Sequence, residues 1–257
     1  MGRYLSTQTV RRAQQRQLKM ARDVCFIGCP PDVRYVGGVD MAFGRATGQP
    51  GLRSGAVGSP AVAVAVVWDR QTRRCVQAVC ARGTVRFPYV PGLLSFREAP
   101  LMMAAIRRID SPVDVWLVDG HGIAHRRGCG LATHIGVALN LPTIGVAKSL
   151  LTGRLAGPGK LRQANMALDR LVCDWQGSER FAGYAIRPRA GHEPLYISPG
   201  NRISAEQALK TVVDCLNGED RLAVPIRLAD ALCAQLRLIP PHRRKLTAAA
   251  LQATVAV

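Results

Sequence analysis

The chain has 257 residues, 48% of them hydrophobic, which is enough to bury one sizeable core. We expect a single domain over residues 1–257, with loosely ordered tails at 1–7 and 238–257. Thirty-five Lys and Arg against 17 Asp and Glu give a net charge of +18 that is spread along the chain, so a polyanion partner, most simply nucleic acid, is the natural inference.

The cysteines and the hydropathy pattern exclude further classes of protein. The eight cysteines are scattered through apolar segments without C-x-x-C spacing, which argues against a zinc site and against a disulfide framework. The N-terminus lacks the apolar core of a secretion signal, and the longest apolar run, at 61–68, is far too short to span a bilayer. We therefore expect a cytoplasmic monomer that makes no membrane contact.

The N-terminal part of the chain combines a basic helix with a strand that contains an acid. Apolar residues recur near helical spacing over 8–24, which predicts an amphipathic helix whose basic face is either solvated or in contact with nucleic acid. Residues 33–43, VRYVGGVDMAF, form a predicted strand with Asp40 inside it. A carboxylate there is costly to bury unless a metal ion or a donor meets it, so Asp40 is a candidate functional residue.

Two more strands are predicted after a long connection. Residues 44–60 contain five glycines and two prolines without apolar periodicity, which predicts a mobile loop or an unusually long hairpin connection. The segments 61–68 and 75–83 then read as strands, and together with the Asp40 strand they predict a three-stranded meander.

A stiff turn and a helix follow. In the segment PYVPG, Pro88 and Pro91 fix their own φ and present Tyr89 at the tip, where it either stacks on bases or simply packs within a proline-rich loop. Because Pro100 disrupts a helix that is capped further upstream, we expect the helix to cover 99–109 and to leave Glu98 free at its mouth.

The segment VWLVDGHGIAH at 115–125 organises the rest of the chain. Its strand, predicted at 114–120, ends in Asp119. The Asp-Gly pair is either an ordinary turn or a carboxylate at a strand end, where ligands of α/β sheets collect. A helical crossover makes this strand parallel to an earlier one. If it lies beside the Asp40 strand, the ~4.8 Å spacing lets both carboxylates converge on one hard cation, Mg²⁺ or Mn²⁺.

Three further side chains near this strand carry alternative interpretations. His121 and His125 stand four residues apart, as zinc ligands on a helix do, but the glycines between and before them argue against a helix. Lys148 is either an ordinary surface cation or the positive group that meets a scissile phosphate. The remaining predicted elements are a helix at 130–139, a strand at 141–147, a polar and interrupted segment at 152–176, strands at 184–186 and 195–198, and helices at 204–216 and 225–236.

Four motifs resemble the endonuclease V family of deoxyinosine-directed repair nucleases: GVDMAF at 38–43, PYVPGLLSFRE at 88–98, VDGHGIAH at 118–125 and PTIGVAK at 142–148. Their order and spacing agree with the family across residues 8–236. The resemblance implies an RNase H-like fold, with a mixed five-stranded sheet flanked by helices. It also implies hydrolysis, dependent on Mg²⁺ with Mn²⁺ able to substitute, of the second phosphodiester bond 3′ to a deaminated base, leaving 3′-hydroxyl and 5′-phosphate ends.

The same resemblance implies roles for individual residues. Asp40, Asp119 and Glu98 match the metal-binding acids, and Lys148 and His125 match the catalytic lysine and histidine. Tyr89 matches the strand-separating wedge. In two departures from the family, Arg126 replaces a proline and adds a phosphate contact, and Asn201 replaces a histidine. The implied substrate-binding residues are Pro88, Tyr89, Pro91, Gly120, Arg127, Gly130, Leu131 and Asn201.

These residues predict metal-assisted hydrolysis. Asp40 and Asp119 hold the cation, Glu98 helps to order metal or water, and Lys148 offsets charge in the transition state. Asn201 is expected to position water without titrating, which flattens the pH profile around pH 6 to 7. Three alternatives stay open: inosine in RNA as the substrate, a lesion-binding protein with weak turnover because of Asn201, and architectural binding by charge alone, which leaves buried acids at strand ends unexplained.

Overall fold

The computed structural model describes residues 6–44, 54–157, 161, 165–175, 177–240 and 250–253. The strands are β1 (Tyr35–Phe43), β2 (Pro60–Asp69), β3 (Arg74–Thr84), β4 (Val115–Asp119), β5 (Thr143–Ala147), β6 (Arg154–Leu155), β7 (Ala167–Trp175), β8 (Ser178–Arg187) and β9 (Leu195–Asn201). The helices are α1 (Thr7–Arg22), α2 (Leu94–Ile106), α3 (Leu131–Leu139), α4 (Ala205–Asp214) and α5 (Val224–Leu236). Among the described helices, none combines the length and the apolar character needed to cross a bilayer.

The nine strands of the described residues belong to one mixed sheet with the order β3-β2-β1-β4-β5-β9-β8-β7-β6. The predicted meander is confirmed, because β1, β2 and β3 pair antiparallel in sequence. The predicted crossover is also confirmed, because β4 pairs parallel with β1 and β5 pairs parallel with β4. The long glycine-rich segment therefore connects a hairpin, although its residues 45–53 lie outside the described part of the chain.

The expectation of a five-stranded sheet was wrong. β9 pairs antiparallel with β5, and the sheet continues from it through β8, β7 and β6. Strand β7 lies in the segment that looked polar and interrupted. Its residues Asp169, Leu171 and Cys173 alternate on the buried side, as a strand requires, and the acid conceals the period. The Asp169 carboxylate accepts hydrogen bonds from the Gly157 amide, which makes its burial tolerable.

Helices cover both faces of the sheet, which explains why β2 is apolar at nearly every position. Val62, Val64 and Val66 pack in a cluster with residues of α5, whereas Ala63 and Ala65 pack in a cluster on the other face with residues of α2. A strand covered on both sides shows no alternation of polar and apolar residues. In the tail that follows α5, residue Ala250 is buried in the first of these clusters, and residues 241–249 and 254–257 lie outside the described part.

Helix α2 begins earlier than predicted and contains Pro100. The helix was expected at 99–109, but it covers Leu94–Ile106 with Leu93 as its N-cap. An interior proline costs about 3 kcal/mol, since it removes one backbone hydrogen bond and crowds the preceding turn. Burial of Met102 and Ile106, at roughly 1.5–3 kcal/mol each, offsets that cost. Glu98 is consequently within the second turn of the helix and not at its mouth.

Candidate active site

Two carboxylates converge at one edge of the sheet. The parallel register of β1 and β4 runs from Val36 opposite Val115 to Val39 opposite Val118, so Asp40 and Asp119 follow as neighbours on adjacent strands. The Asp40 residue is only 8% exposed, and its Oδ1 accepts a hydrogen bond of 2.7 Å from the Met41 amide. The predicted convergence of the two acids is therefore present.

A third carboxylate, which the sequence did not single out, comes from helix α5. Oxygen atoms of Asp40, Asp119 and Asp230 all lie within 4.8 Å of one another. Helix α5 can come this close because Gly38 has no side chain: a Cβ there would collide with the backbone of Pro225. In the sequence, Asp230 is an aspartate next to apolar positions of a predicted helix. Many aspartates on exposed helix surfaces have the same sequence context, so this pattern does not identify a metal ligand.

Lys148 joins the carboxylates from the end of β5. Its Nζ donates a hydrogen bond of 2.6 Å to Asp119 Oδ2 and lies 3.9 Å from Asp230 Oδ1. The lysine side chain is 38% exposed, so the ammonium group reaches the acids from the solvent side. Lys148 is therefore not an isolated surface cation, because it contacts two acids of the cluster.

Burial dominates the electrostatics of this cluster. It raises the pKa of Asp40, and the neighbouring charge of Asp119 raises it further. Burial also raises the pKa of Asp119, against the opposing effect of Lys148. For Lys148, burial lowers the pKa, but the three aspartates outweigh it and the net shift is upward. Acids that are desolvated and close together bind a cation strongly, because the cation relieves both costs.

Glu98 lies near enough to Asp119 to respond to its charge, but outside the carboxylate cluster. It is not among the carboxylates whose oxygens lie within 4.8 Å of one another in the described residues. Burial raises the pKa of Glu98 to about 7, with Arg97 lowering it and Asp119 raising it. A carboxyl group that titrates near neutral pH can accept or release a proton during a reaction at that pH.

His125 holds the proline-rich turn in place. Its Nε2 lies 3.1 Å from the Gly92 carbonyl oxygen, and its Nδ1 accepts a hydrogen bond from the Arg127 amide, so the ring is neutral with its proton on Nε2. Burial lowers the pKa of His125 to about 4. Within the described residues, neither His125 nor His121 joins the carboxylate cluster, which leaves no support for the zinc interpretation.

A buried glutamine completes this support. Gln17 is 1% exposed and its Nε2 donates to the carbonyl oxygens of Gly92 and Cys129, at 3.1 and 2.9 Å. Its Oε1 accepts from Arg127 Nε at 2.7 Å, and the same guanidinium donates to the Gly92 oxygen at 2.6 Å. Gln17 was not among the predicted residues, although it stands on the buried stripe of α1 between Ala13 and Met20, where a polar residue is informative.

The turn presents Tyr89 to solvent, with 67% of the residue exposed. Below it lies a pocket of about 310 Å³ that Tyr89 and Gly92 line together with Asp119 and Lys148. The pocket wall also contains four more of the predicted residues, Gly120, His125, Gly130 and Leu131. The predicted residues Pro88, Pro91 and Arg127 are not among the residues that line it, and Arg127 lines a neighbouring cleft instead.

Two glycines shape this pocket by bringing its walls together. Gly120 has φ +153°, and a Cβ there would press on Leu131 at 3.2 Å. At Gly130, a Cβ would collide with the His121 carbonyl oxygen. Gly120 is therefore favoured by its backbone conformation, and Gly130 is required because no side chain fits against the His121 backbone.

The structure does not bring Asn201 to this site. Asn201 pairs with Thr143, at the start of β5, whereas Lys148 follows the end of that strand. Its side-chain amide is buried and bonds to backbone atoms, accepting from the Cys25 amide at 3.0 Å and donating to the Gly136 oxygen at 3.1 Å. Asn201 therefore stabilises the fold, and the flattened pH profile expected from it has no structural basis.

Fold, acid cluster and basic charge together define a metal-assisted nuclease. Comparison with known families agrees, because the sequence model described as Endonuclease V matches residues 19–231. The chain therefore belongs to the endonuclease V family.

Individual relatives support the same assignment. An endonuclease V from Gloeobacter violaceus is 38% identical over 221 residues, which cover 86% of this chain and 83% of that protein. The endonuclease V structure from Streptomyces avermitilis has a TM-score of 0.73 at 34% identity, covering 88% of this chain and 92% of that one. An endonuclease V from Ciona intestinalis, in complex with a 24mer DNA containing an inosine followed by a ribo-adenosine, shares the fold with a TM-score of 0.74 at 24% identity, covering 89% and 98% of the two chains.

Proposed function

We propose that the protein cleaves DNA that contains deoxyinosine, at the second phosphodiester bond 3′ to the deaminated base, leaving 3′-hydroxyl and 5′-phosphate ends. One observation carries this proposal: the charged cluster and the 310 Å³ pocket adjoin each other. Asp119 and Lys148 belong to the cluster and also line the pocket wall. A base held out of the duplex in that pocket would place its own strand beside the acids.

The carboxylate cluster fits a hard divalent cation. Its donors are oxygen atoms only, and their spacing allows one ion to touch all three aspartates. We propose Mg²⁺, with Mn²⁺ able to substitute, held by Asp40, Asp119 and Asp230. When bound there, the ion supplies Lewis acidity toward a phosphoryl oxygen.

Side chains around the cluster would do the remaining work. Lys148 would offset negative charge on the scissile phosphate. Its hydrogen bond to Asp119 holds the ammonium group next to the acids that would bind the metal ion. Glu98, whose pKa is raised to about 7, would order a water molecule and accept its proton. Tyr89 would fill the space that the extruded base leaves, and the contacts of His125, Arg127 and Gln17 to Gly92 would hold the tyrosine's turn in position.

The architecture supports broader proposals. In the order β3-β2-β1-β4-β5, three antiparallel strands are followed by two parallel ones, which supports the RNase H-like fold that the motifs imply. We further propose that residues 1–257 form one nuclease domain that acts as a monomer in the cytoplasm. The free state of all eight cysteines favours a reducing compartment.

A cleavage assay with mapped ends tests the proposal. Purified protein is offered matched duplexes with and without one deoxyinosine, together with inosine-containing RNA, in the presence of Mg²⁺. We expect a cut at the second phosphodiester 3′ to deoxyinosine and none in the undamaged duplex. Cleavage of RNA with DNA left intact would transfer the assignment to an endoribonuclease, and specific binding with neither substrate cut would make the protein a lesion-binding module.

A further inference from the structure

A second and larger cleft lies behind the wall of the active-site pocket. It has a volume of about 610 Å³, within the range of ~300–1,000 Å³ that is usual for small-molecule sites. The two clefts share a wall made of α1 and the segment that follows β4. Gln17 and His125 face the active-site pocket, whereas the adjacent residues Leu18 and Arg126 face the second cleft.

Cations dominate the lining of this second cleft. Arg22, Arg126 and Arg180 are exposed at its rim, and within the described residues none of them forms an ion pair with a carboxylate. Glu206 is the one acid among the described lining residues, and its side chain lies 3.5 Å from the Tyr184 hydroxyl. Unpaired guanidinium groups in a concave surface favour an anion, and their planar donors match the oxygens of a phosphate.

Aromatic side chains stand beside these cations. The Trp175 indole donates a hydrogen bond of 2.7 Å from Nε1 to the His125 carbonyl oxygen. This bond fixes the ring against the wall that both clefts share. Phe26 is 49% exposed at the same cleft. Flat apolar surfaces next to guanidinium groups are how proteins hold unpaired nucleotides, with the base stacked on a ring and the phosphate on arginine.

We infer that this arginine cleft, lined by Arg22, Phe26, Arg126, Trp175 and Arg180, binds an unpaired nucleotide of the same strand that enters the active site. The inference rests on the proposed function, because it takes its ligand from the strand held in the neighbouring pocket. The cleft would fix the register of that strand on one side of the lesion, so the distance between the extruded base and the bond that is cut stays constant.

Oligonucleotides of graded length test the inference. Single strands with one deoxyinosine are extended one nucleotide at a time, in one series on the 5′ side and in another on the 3′ side, and their binding is measured without divalent cations. We expect a step of about tenfold in affinity at one added nucleotide in one series, as stacking of a base predicts. Across that step the salt dependence of log Kd should steepen by about 0.7 for each phosphate engaged.

Paired charge-removing variants separate the cleft from the general charge of the protein. The double variant Arg126→Gln/Arg180→Gln should lose the step, whereas Arg74→Gln/Arg107→Gln, which removes the same charge from exposed positions outside the cleft, should keep it. A smooth rise of affinity with length in both series overturns the inference even if deoxyinosine DNA is cleaved. A step without any cleavage upholds the cleft and rejects the proposed function.

Discussion

The active-site pocket and the arginine cleft share a wall but place their charges in opposite ways. In the acid cluster that adjoins the pocket, Asp40 is 8% exposed and lies close to two other carboxylates and an ammonium group. In the cleft, Arg126 and Arg180 are exposed and have no ion-pair partner among the described residues. Reactivity needs charges that are desolvated and fixed, whereas affinity for a polyanion needs charges that stay hydrated and free until the ligand arrives.

Conservative substitutions should therefore reduce cleavage severely at the acid cluster and by smaller amounts elsewhere. Asp119→Asn keeps the size of the side chain but removes one carboxylate from the cluster and the partner of Lys148. We expect cleavage to fall by about a thousandfold or more, equivalent to ~4 kcal/mol, while binding to deoxyinosine DNA persists. Single-turnover cleavage at saturating enzyme measures the rate.

The exposed variant Asp110→Asn serves as the control for Asp119→Asn, because it removes the same charge far from the cluster. A wild-type rate in Asp119→Asn at matched Mg²⁺ would remove that residue from the metal site.

Asn201 lies outside both clefts, so an effect of this residue on the chemistry would contradict the division of roles between them. Asn201→Ala leaves the Gly136 oxygen and the Cys25 amide without their partner, so we expect a loss of about 1–3 kcal/mol in the free energy of unfolding. The pH dependence of cleavage should not change. Urea denaturation measures the first quantity, with Gln15→Ala on the surface of α1 as the matched control; a changed pH profile in the Asn201 variant would return this residue to the active site.

Asp230 tests how far partial exposure reduces the contribution of a clustered carboxylate to cation binding. Its side chain is 51% exposed, compared with 15% for Asp119. We expect Asp230→Asn to raise the Mg²⁺ concentration needed for half-maximal cleavage by about tenfold, or ~1.4 kcal/mol, with a smaller effect at saturating Mg²⁺. A Mg²⁺ titration of the cleavage rate checks this, and an unchanged midpoint would exclude Asp230 from the metal-binding set.

Tyr89 stands at the mouth of the pocket and should affect selectivity more than affinity. Tyr89→Ala removes one stacking surface, for which the low end of ~1 kcal/mol per base predicts about a fivefold loss of discrimination between deoxyinosine and undamaged duplex. Tyr89→Phe should keep most of the discrimination. Competition binding measures the ratio, and the salt dependence should stay as in wild type because no charge is lost.

The last prediction concerns stability without metal. Burial raises the pKa of Asp40 from 3.8 to about 8, so the folded state holds a proton that the unfolded state releases. The stabilising effect of this carboxyl is complete below about pH 4 and is lost as the pH rises to about 8. Asp40→Asn cannot ionise and should therefore melt above wild type at pH 8, but not at pH 4.

Thermal melting in the presence of a chelator tests the Asp40→Asn prediction, and added Mg²⁺ should reverse the order of the two proteins. A difference that does not depend on pH would show that the carboxyl of Asp40 is ionised throughout.

The sequence predicts features that depend on neighbouring residues better than contacts between residues far apart in the chain. Strands β1, β2 and β4 were predictable because apolar runs bounded by turns define them, and the acid inside β1 was visible as an exception to its apolar pattern. The parallel direction of β4 followed from one helical crossover, whereas its place beside β1 was only a condition, which the structure fulfils. These strands and their directions depend only on neighbouring residues and on the geometry of a sheet.

What could not be predicted depends on how surfaces pack. The start of α2 was missed because the burial of Met102 and Ile106 outweighs the penalty of Pro100, and no local rule reports that burial. Asp230 was missed because its approach to Asp40 depends on the contact of α5 with Gly38. A motif match placed Asn201 in the site, but only the register of β9 against β5 shows that it lies at the other end of the strand.

The arrival of Asp230 from the last fifth of the chain has a consequence during synthesis. Asp119 and Asp230 are separated by 230 − 119 = 111 residues, which a ribosome adds in roughly 6–20 s at ~5–20 residues per second. Throughout that interval the nascent chain holds only two of the three carboxylates that gather at the sheet edge, and α5 has not yet packed on β1. If Asp230 belongs to the metal site, as proposed above, a basic polypeptide that emerges next to ribosomal and messenger RNA would lack a complete hydrolytic centre until α5 docks on β1.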